Sequence, residues 1–234
     1  MFIPFDRYYL ILVIPALLFA GWAQMSVSSA FNRYSRVRNM HGMTGAQAAR
    51  RILDDNGLQN VRVEHIGGKL TDHYDPGAQV VRLSDSVYAG DSIASLGVAA
   101  HECGHAMQHN EGYGPLRFRS ALVPVANFGS QLSWPMILLG ILFGGLGSPL
   151  VQVGILMFSL AVLFQLVTLP VEFNASSRAV RLLDSQGILS GEEVDGTRKV
   201  LKAAALTYVA AAAGSILQLL RLVILFGGRD RDND

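Results

Sequence analysis

The stretch Ala99-Ala100-His101-Glu102-Cys103-Gly104-His105-Ala106-Met107-Gln108-His109 sets two histidines four residues apart, with a carboxylate beside the first. Four residues are slightly more than one helical turn, so the imidazoles stand one above the other, about 40° apart around the axis. Both then reach one tetrahedral metal ion, and Glu102 is directed at a water in the remaining position. The surroundings agree with a helix buried on most sides. From Ser92 to Gln108 the chain is rich in Ala, Gly, Ile and Leu, and Glu102 is its one formal charge. A lone carboxylate in such a helix needs a partner or a metal. Asp91 or Ser92 is placed to cap this helix, and Gly112 with Gly114-Pro115 to end it.

Outward from the motif, charge is scarce and unevenly spread. Half of the 234 residues are apolar and 16% are charged, against about 25% charged in a typical soluble domain. No charged residue occurs from Ser120 to Val171, which is long enough for two membrane crossings joined at Gly144-Gly145-Leu146-Gly147-Ser148-Pro149. Tyr8 to Asn32 is also uncharged, with Tyr8, Tyr9 and Trp22 as interface anchors. It reads as a span and not a cleaved signal, because Met1–Arg7 has no basic excess. A fourth apolar stretch, Ala203–Phe226, ends at Gly227-Gly228, with Arg221 placed to snorkel to the interface. The net charge of +1 gives no case for nucleic acid, and a single cysteine excludes an internal disulfide.

The fold class is therefore mainly α: a polytopic membrane protein with four transmembrane helices and a small α+β region. The expected organisation is an N-terminal transmembrane helix (1–32), a cytoplasmic α+β region with the motif helix (33–119), a transmembrane hairpin (120–171), a cytoplasmic segment (172–202), and a C-terminal transmembrane helix with its tail (203–234). Within the second part, Thr44-x-x-Gln47 is a capping box opening a helix over Gly45–Asn56. Val61–His65 and Gln79–Leu83 read as strands, with a turn at Asp75-Pro76-Gly77 between them, and are expected to pair antiparallel. Ser190-x-x-Glu193 is a second capping box, whose helix runs into the last apolar stretch.

Four spans put 33–119 and 172–202 on one side. Of 19 Lys and Arg, 15 fall there; Arg7, Arg229 and Arg231 fall on the other side, and Arg221 within a span. The positive-inside bias thus predicts a multi-pass protein of the cytoplasmic membrane with the motif facing the cytoplasm.

A catalytic zinc takes three protein ligands and keeps one open position. Glu172 stands out as the third, since it follows the third span at once and opens a polar helix. Asp184, Glu192 and Glu193 read as solvated charges. His109 is the alternative, but three histidines in one row would require the helix to curve, and position 108 is Gln and not the Gly of a bend. His65 and His73 lie in strand or loop context, and Cys103 faces away from the metal side.

Val98-Ala99-Ala100-His101-Glu102-x-Gly104-His105-Ala106-x-Gln108-His109 resembles the signature of YugP-like neutral zinc metallopeptidases of bacterial membranes. Leu70–Pro76, Leu169–Ser176 and Ala203–Ala211 resemble the same family, so the likeness covers nearly the whole chain. It implies a zincin-type helix, hence a zincin-like character for the cytoplasmic region. Similarity to the wider group that includes HtpX implies a glutamate third ligand in a Glu-x-x-Ala pattern. That group carries Asp four residues after the glutamate; this chain has Ser176 there, a candidate for orienting His101 or His105.

The expected chemistry is peptide-bond hydrolysis with one zinc per chain. His101, His105 and Glu172 hold the metal, and Glu102 is the general base. His73, His109, Arg178 and Tyr208 are candidates for contacting substrate or the transition state. The strand Gln79–Leu83 offers an edge for an extended substrate. Expected partners are a peptide or membrane-protein substrate and the lipid bilayer, with no nucleic acid. The rival readings are a non-catalytic membrane adaptor with a structural zinc, and a transporter with an accidental motif.

Overall fold

A computed structural model describes residues 6–227 of the 234. A π-helical turn, Tyr9–Val13, leads into α1 (Ile14–Tyr34), followed by α2 (Gly45–Asp55), β1 (Arg62–Ile66), β2 (His73–Asp75), β3 (Val80–Ser84), α3 (Asp85–Tyr88), α4 (Ile93–Asn110), α5 (Gly114–Gly144), α6 (Pro149–Ser185) and α7 (Glu192–Phe226). Among the described residues, four helical stretches are long and apolar enough to cross a membrane: Tyr9–Tyr34, Gly114–Gly144, Pro149–Ser185 and Glu192–Phe226. Arg229 and Arg231, which enter the charge count above, lie outside the described residues.

The chain forms two compact units. Within the described residues, one comprises 6–23, 118–169 and 207–227, and the other Gln24–Arg117 and Pro170–Leu206. In the first unit Ile137, Val151, Ile155, Leu222 and Phe226 form an apolar cluster. Gly145 turns the chain after α5 with φ +76°. Ser148 Oγ then accepts from Leu150 N at 3.2 Å, and Pro149 opens α6. Arg221 does not snorkel. It is buried, and its Nε and Nη2 donate to Asp6 Oδ2 at 3.1 and 2.5 Å, with the guanidinium over the Tyr9 ring. A charge held away from water requires such a counter-ion.

Glu172 does not open a helix of its own: it lies inside α6, which continues through Pro170 to Ser185.

The second unit opens with α2, whose capping box is complete: Thr44 Oγ1 accepts from Gln47 N at 3.3 Å, and Gln47 Oε1 from Thr44 N at 2.9 Å. The sheet order is β1-β3-β2. Here the expectation fails: β1 and β3 pair parallel, from Arg62↔Val80 to Ile66↔Ser84. The cause is β2, a three-residue strand whose sequence shows no alternation. Asp75 Oδ1 accepts from Gly77 N and Ala78 N at 2.9 and 3.0 Å, so the turn folds β2 back on β3. The chain from Ile66 to Val80 is long enough to return to the start of β1, which a parallel pair requires. Flanked on both sides, β3 has no free edge. The substrate-pairing role expected of Gln79–Leu83 is thereby excluded, and the outer edges belong to β1 and β2.

Helix α4 starts at Ser92, whose Oγ accepts from Ser95 N at 3.1 Å. It runs through the core of this unit among Ile52, Leu53, Leu83, Leu183 and Ile188. Enclosure on most sides explains its small and apolar composition. At the start of α7, Glu193 Oε2 accepts from Ser190 N at 3.2 Å, and Oε1 from Met40 N at 2.8 Å.

Candidate metal centre

The spacing of His101 and His105 places their rings on one stripe of α4, with centroids 4.7 Å apart and planes at 86°. Helix α6, two residues past Pro170, presents Glu172, which is 3% exposed. Glu172 Oε2 lies 3.3 Å from His101 Nε2 and 3.6 Å from His105 Nε2. One donor atom from each residue falls within 4.8 Å of the other two. Two imidazole nitrogens and one carboxylate oxygen are the donor set of a catalytic zinc site, which keeps a fourth position open. A closed structural site takes four ligands and commonly uses cysteine.

Each imidazole is held from behind. Ser176 Oγ is 3.2 Å from His101 Nδ1, and Gln108 Oε1 is 3.0 Å from His105 Nδ1. Gln108 is fully buried, and its Nε2 donates to the Val171 carbonyl at 2.8 Å and to Asn174 Oδ1 at 2.9 Å. Burial disfavours a charge on His105, but the Glu172 and Glu102 carboxylates and the Gln108 amide outweigh it and raise its pKa above the usual histidine value. Glu102 is itself buried.

A family model described as "Putative neutral zinc metallopeptidase" matches residues 9–227. The chain belongs to this family. The "Putative membrane protease YugP" of Bacillus subtilis (strain 168) is 53% identical over 225 residues, covering 96% of this chain and 99% of that protein. No solved structure matches the chain.

Zinc is thus the metal the family implies, and the donor set fits it. The remaining candidates are outside the three-residue cluster and make other contacts. His109 is exposed, and its Nδ1 is 3.0 Å from the Tyr74 hydroxyl; it is not in the three-residue cluster. His73 Nδ1 is 2.7 Å from the Thr71 carbonyl, and its Nε2 faces Arg82 Nη1 at 3.4 Å. Arg178 donates from Nε to Asn174 Oδ1 at 2.7 Å and from Nη1 to Glu111 Oε1 at 2.6 Å. That guanidinium holds the Glu111 carboxyl below the usual carboxylate range. Tyr208 belongs to the other unit. Cys103 is buried with Sγ 3.6 Å from the Ala49 carbonyl, and burial raises its thiol pKa.

Sequence reasoning missed Gln108, Asn174 and Tyr74. For Gln108 a signal existed: an amide in an otherwise apolar helix, three residues after His105, needs buried partners and lies within reach of that ring. In the sequence it stands only in the family-like signature and at the place where a bend would need glycine.

Proposed function

We propose that this protein is a multi-pass membrane zinc peptidase whose active site is built from α4 and the part of α6 beyond Pro170. The observation that carries the reading is the convergence of His101, His105 and Glu172 from two separate helices. Bound there, zinc supplies Lewis acidity, acidifying a water and polarising a peptide carbonyl. Glu102 takes the proton of the attacking water and returns it to the leaving amine. His101 and His105 are steadied through their Nδ1 atoms by Ser176 and Gln108, leaving both Nε2 atoms directed towards Glu172. With three donors and Cys103 turned to the Ala49 carbonyl, the site favours catalysis over an adaptor with a closed structural zinc.

Glu172 follows directly on the uncharged part of α6. This supports a site at the membrane face, and the basic residues of 33–119 and 172–202 support the cytoplasmic one. The substrate class is then membrane proteins or membrane-bound peptides. The test compares purified zinc-loaded wild type with Glu102→Gln on a tethered peptide in liposomes and on the same peptide free. Wild type is expected to cut the tethered form preferentially, and Glu102→Gln to keep zinc while losing turnover by about 10²- to 10⁴-fold. Equal cutting of both forms removes the case for the membrane face, and undiminished cutting by Glu102→Gln removes the hydrolytic role of that carboxylate.

A further inference from the structure

We propose that Arg178, Asn174 and Gln108 form a relay of positioning residues that locks His105 in the tautomer with its proton on Nδ1, so that Nε2 offers a lone pair to the metal. The purpose of the relay rests on the metal-centre reading above; its geometry does not.

The argument starts at the end whose chemistry is unambiguous. A guanidinium only donates. Arg178 Nε lies 2.7 Å from one end of the Asn174 amide, so that end is the oxygen. Reversing the Asn174 amide would set an NH2 against an N–H. Gln108 comes next. One end of its amide lies 2.8 Å from the Val171 carbonyl and 2.9 Å from Asn174 Oδ1, both acceptors, so that end is the NH2. Reversal would gather three oxygens in a place with no water to relieve them, since Gln108 is 0% exposed. The oxygen of Gln108 therefore faces His105 Nδ1 at 3.0 Å, and an amide oxygen there requires Nδ1 to carry hydrogen. Each step leaves one orientation. The order runs from a charge on α6, anchored by Glu111 at the end of α4, to a ring nitrogen on α4.

His101 lacks such a lock. Its Nδ1 faces the Ser176 hydroxyl at 3.2 Å, which donates or accepts by rotating its hydrogen. The two histidines thus differ: His105 is set in advance, and His101 adapts. Fixing a ligand's tautomer through its other nitrogen is worth about 10- to 100-fold in metal affinity. This assigns Arg178 a role through Asn174 and Gln108, in place of the contact with substrate that its charge suggests.

The test uses full-length protein in detergent with ¹⁵N-labelled histidine, first with chelator at a pH where the imidazoles are neutral, then with zinc. The His105 signal is assigned by its loss in His105→Gln. Wild type is expected to show hydrogen on His105 Nδ1 in both states. Asn174→Leu and Arg178→Met are expected to give mixed tautomers without metal and zinc binding weakened at least about tenfold in chelator competition. Asn174→Asp, which keeps an acceptor oxygen for both neighbours, is expected to restore both properties. A wild-type His105 with hydrogen on Nε2 in the metal-free state overturns the relay without recourse to any variant. Folded Asn174→Leu with wild-type tautomer and zinc affinity overturns it equally. If wild type takes up no zinc yet shows the Nδ1–H form, the relay stands and the peptidase reading falls.

Discussion

A Cβ built on Gly104 would lie 2.8 Å from the carbonyl oxygen of Ala175 and 3.2 Å from its Cα. The glycine inside the motif is therefore where α4 meets the backbone of α6, three residues beyond Glu172. Close approach of the two helices at this point is what lets one carboxylate reach both imidazoles. Gly104→Ala must push α6 outward, because the atom it meets is backbone. We expect a loss of about 1–3 kcal/mol in stability from the overpacking, and weaker zinc binding as Glu172 withdraws. Thermal unfolding with and without zinc measures both. A variant that unfolds and binds zinc like wild type would show that this contact does not set the site.

Ser176 Oγ at His101 Nδ1 predicts that Ser176→Ala lowers zinc affinity by roughly tenfold with the fold intact. Ser176→Asp keeps an acceptor for an Nδ1 hydrogen and is expected to retain affinity. Chelator competition on the two variants decides, and equal affinity in Ser176→Ala and wild type would leave the hydroxyl without a role in holding His101.

Asp75 gives the hairpin of β2 and β3 a pH dependence. Its carboxylate accepts from Ala78 N, Arg82 and Gly77 N, which lower its pKa from the ordinary 3.8. A carboxylate with a depressed folded pKa adds stability that is present above the unfolded value and is lost as pH falls through the folded one. Asn at this position still accepts from the two turn amides but no longer titrates. Asp75→Asn is therefore expected to be less stable than wild type at neutral pH, with the gap closing as pH drops below about 4. Denaturant melts across that range test it; a gap independent of pH would show that the charge does not matter.

The helices were legible because their signals are local. Thr44 and Gln47 announce α2, Ser148-Pro149 announces α6, and absence of charge marks the long apolar runs. The grouping of His101, His105 and Glu172 was legible too, since helical spacing fixes the pair and Glu172 is the first charge after a long uncharged stretch. Strand pairing was not. Nothing in His73-Tyr74-Asp75 advertises a strand, and leaving it out made β1 and β3 look like a hairpin. The Gln108 relay was hidden for another reason: its partners Val171 and Asn174 lie more than sixty residues away, and only packing of α4 on α6 brings them within bonding distance. Arg221 misled because its partner Asp6 is at the opposite end of the chain.

The central claim is that a carboxylate from α6 completes a zinc site begun on α4. Metal analysis of purified wild type beside Glu172→Ala, with peptide cleavage on the same preparations, tests it most directly. The account predicts one zinc per chain and cleavage for wild type, and loss of both in Glu172→Ala while the protein stays folded. Glu172→Ala that retains a full equivalent of zinc and cuts at the wild-type rate would contradict it.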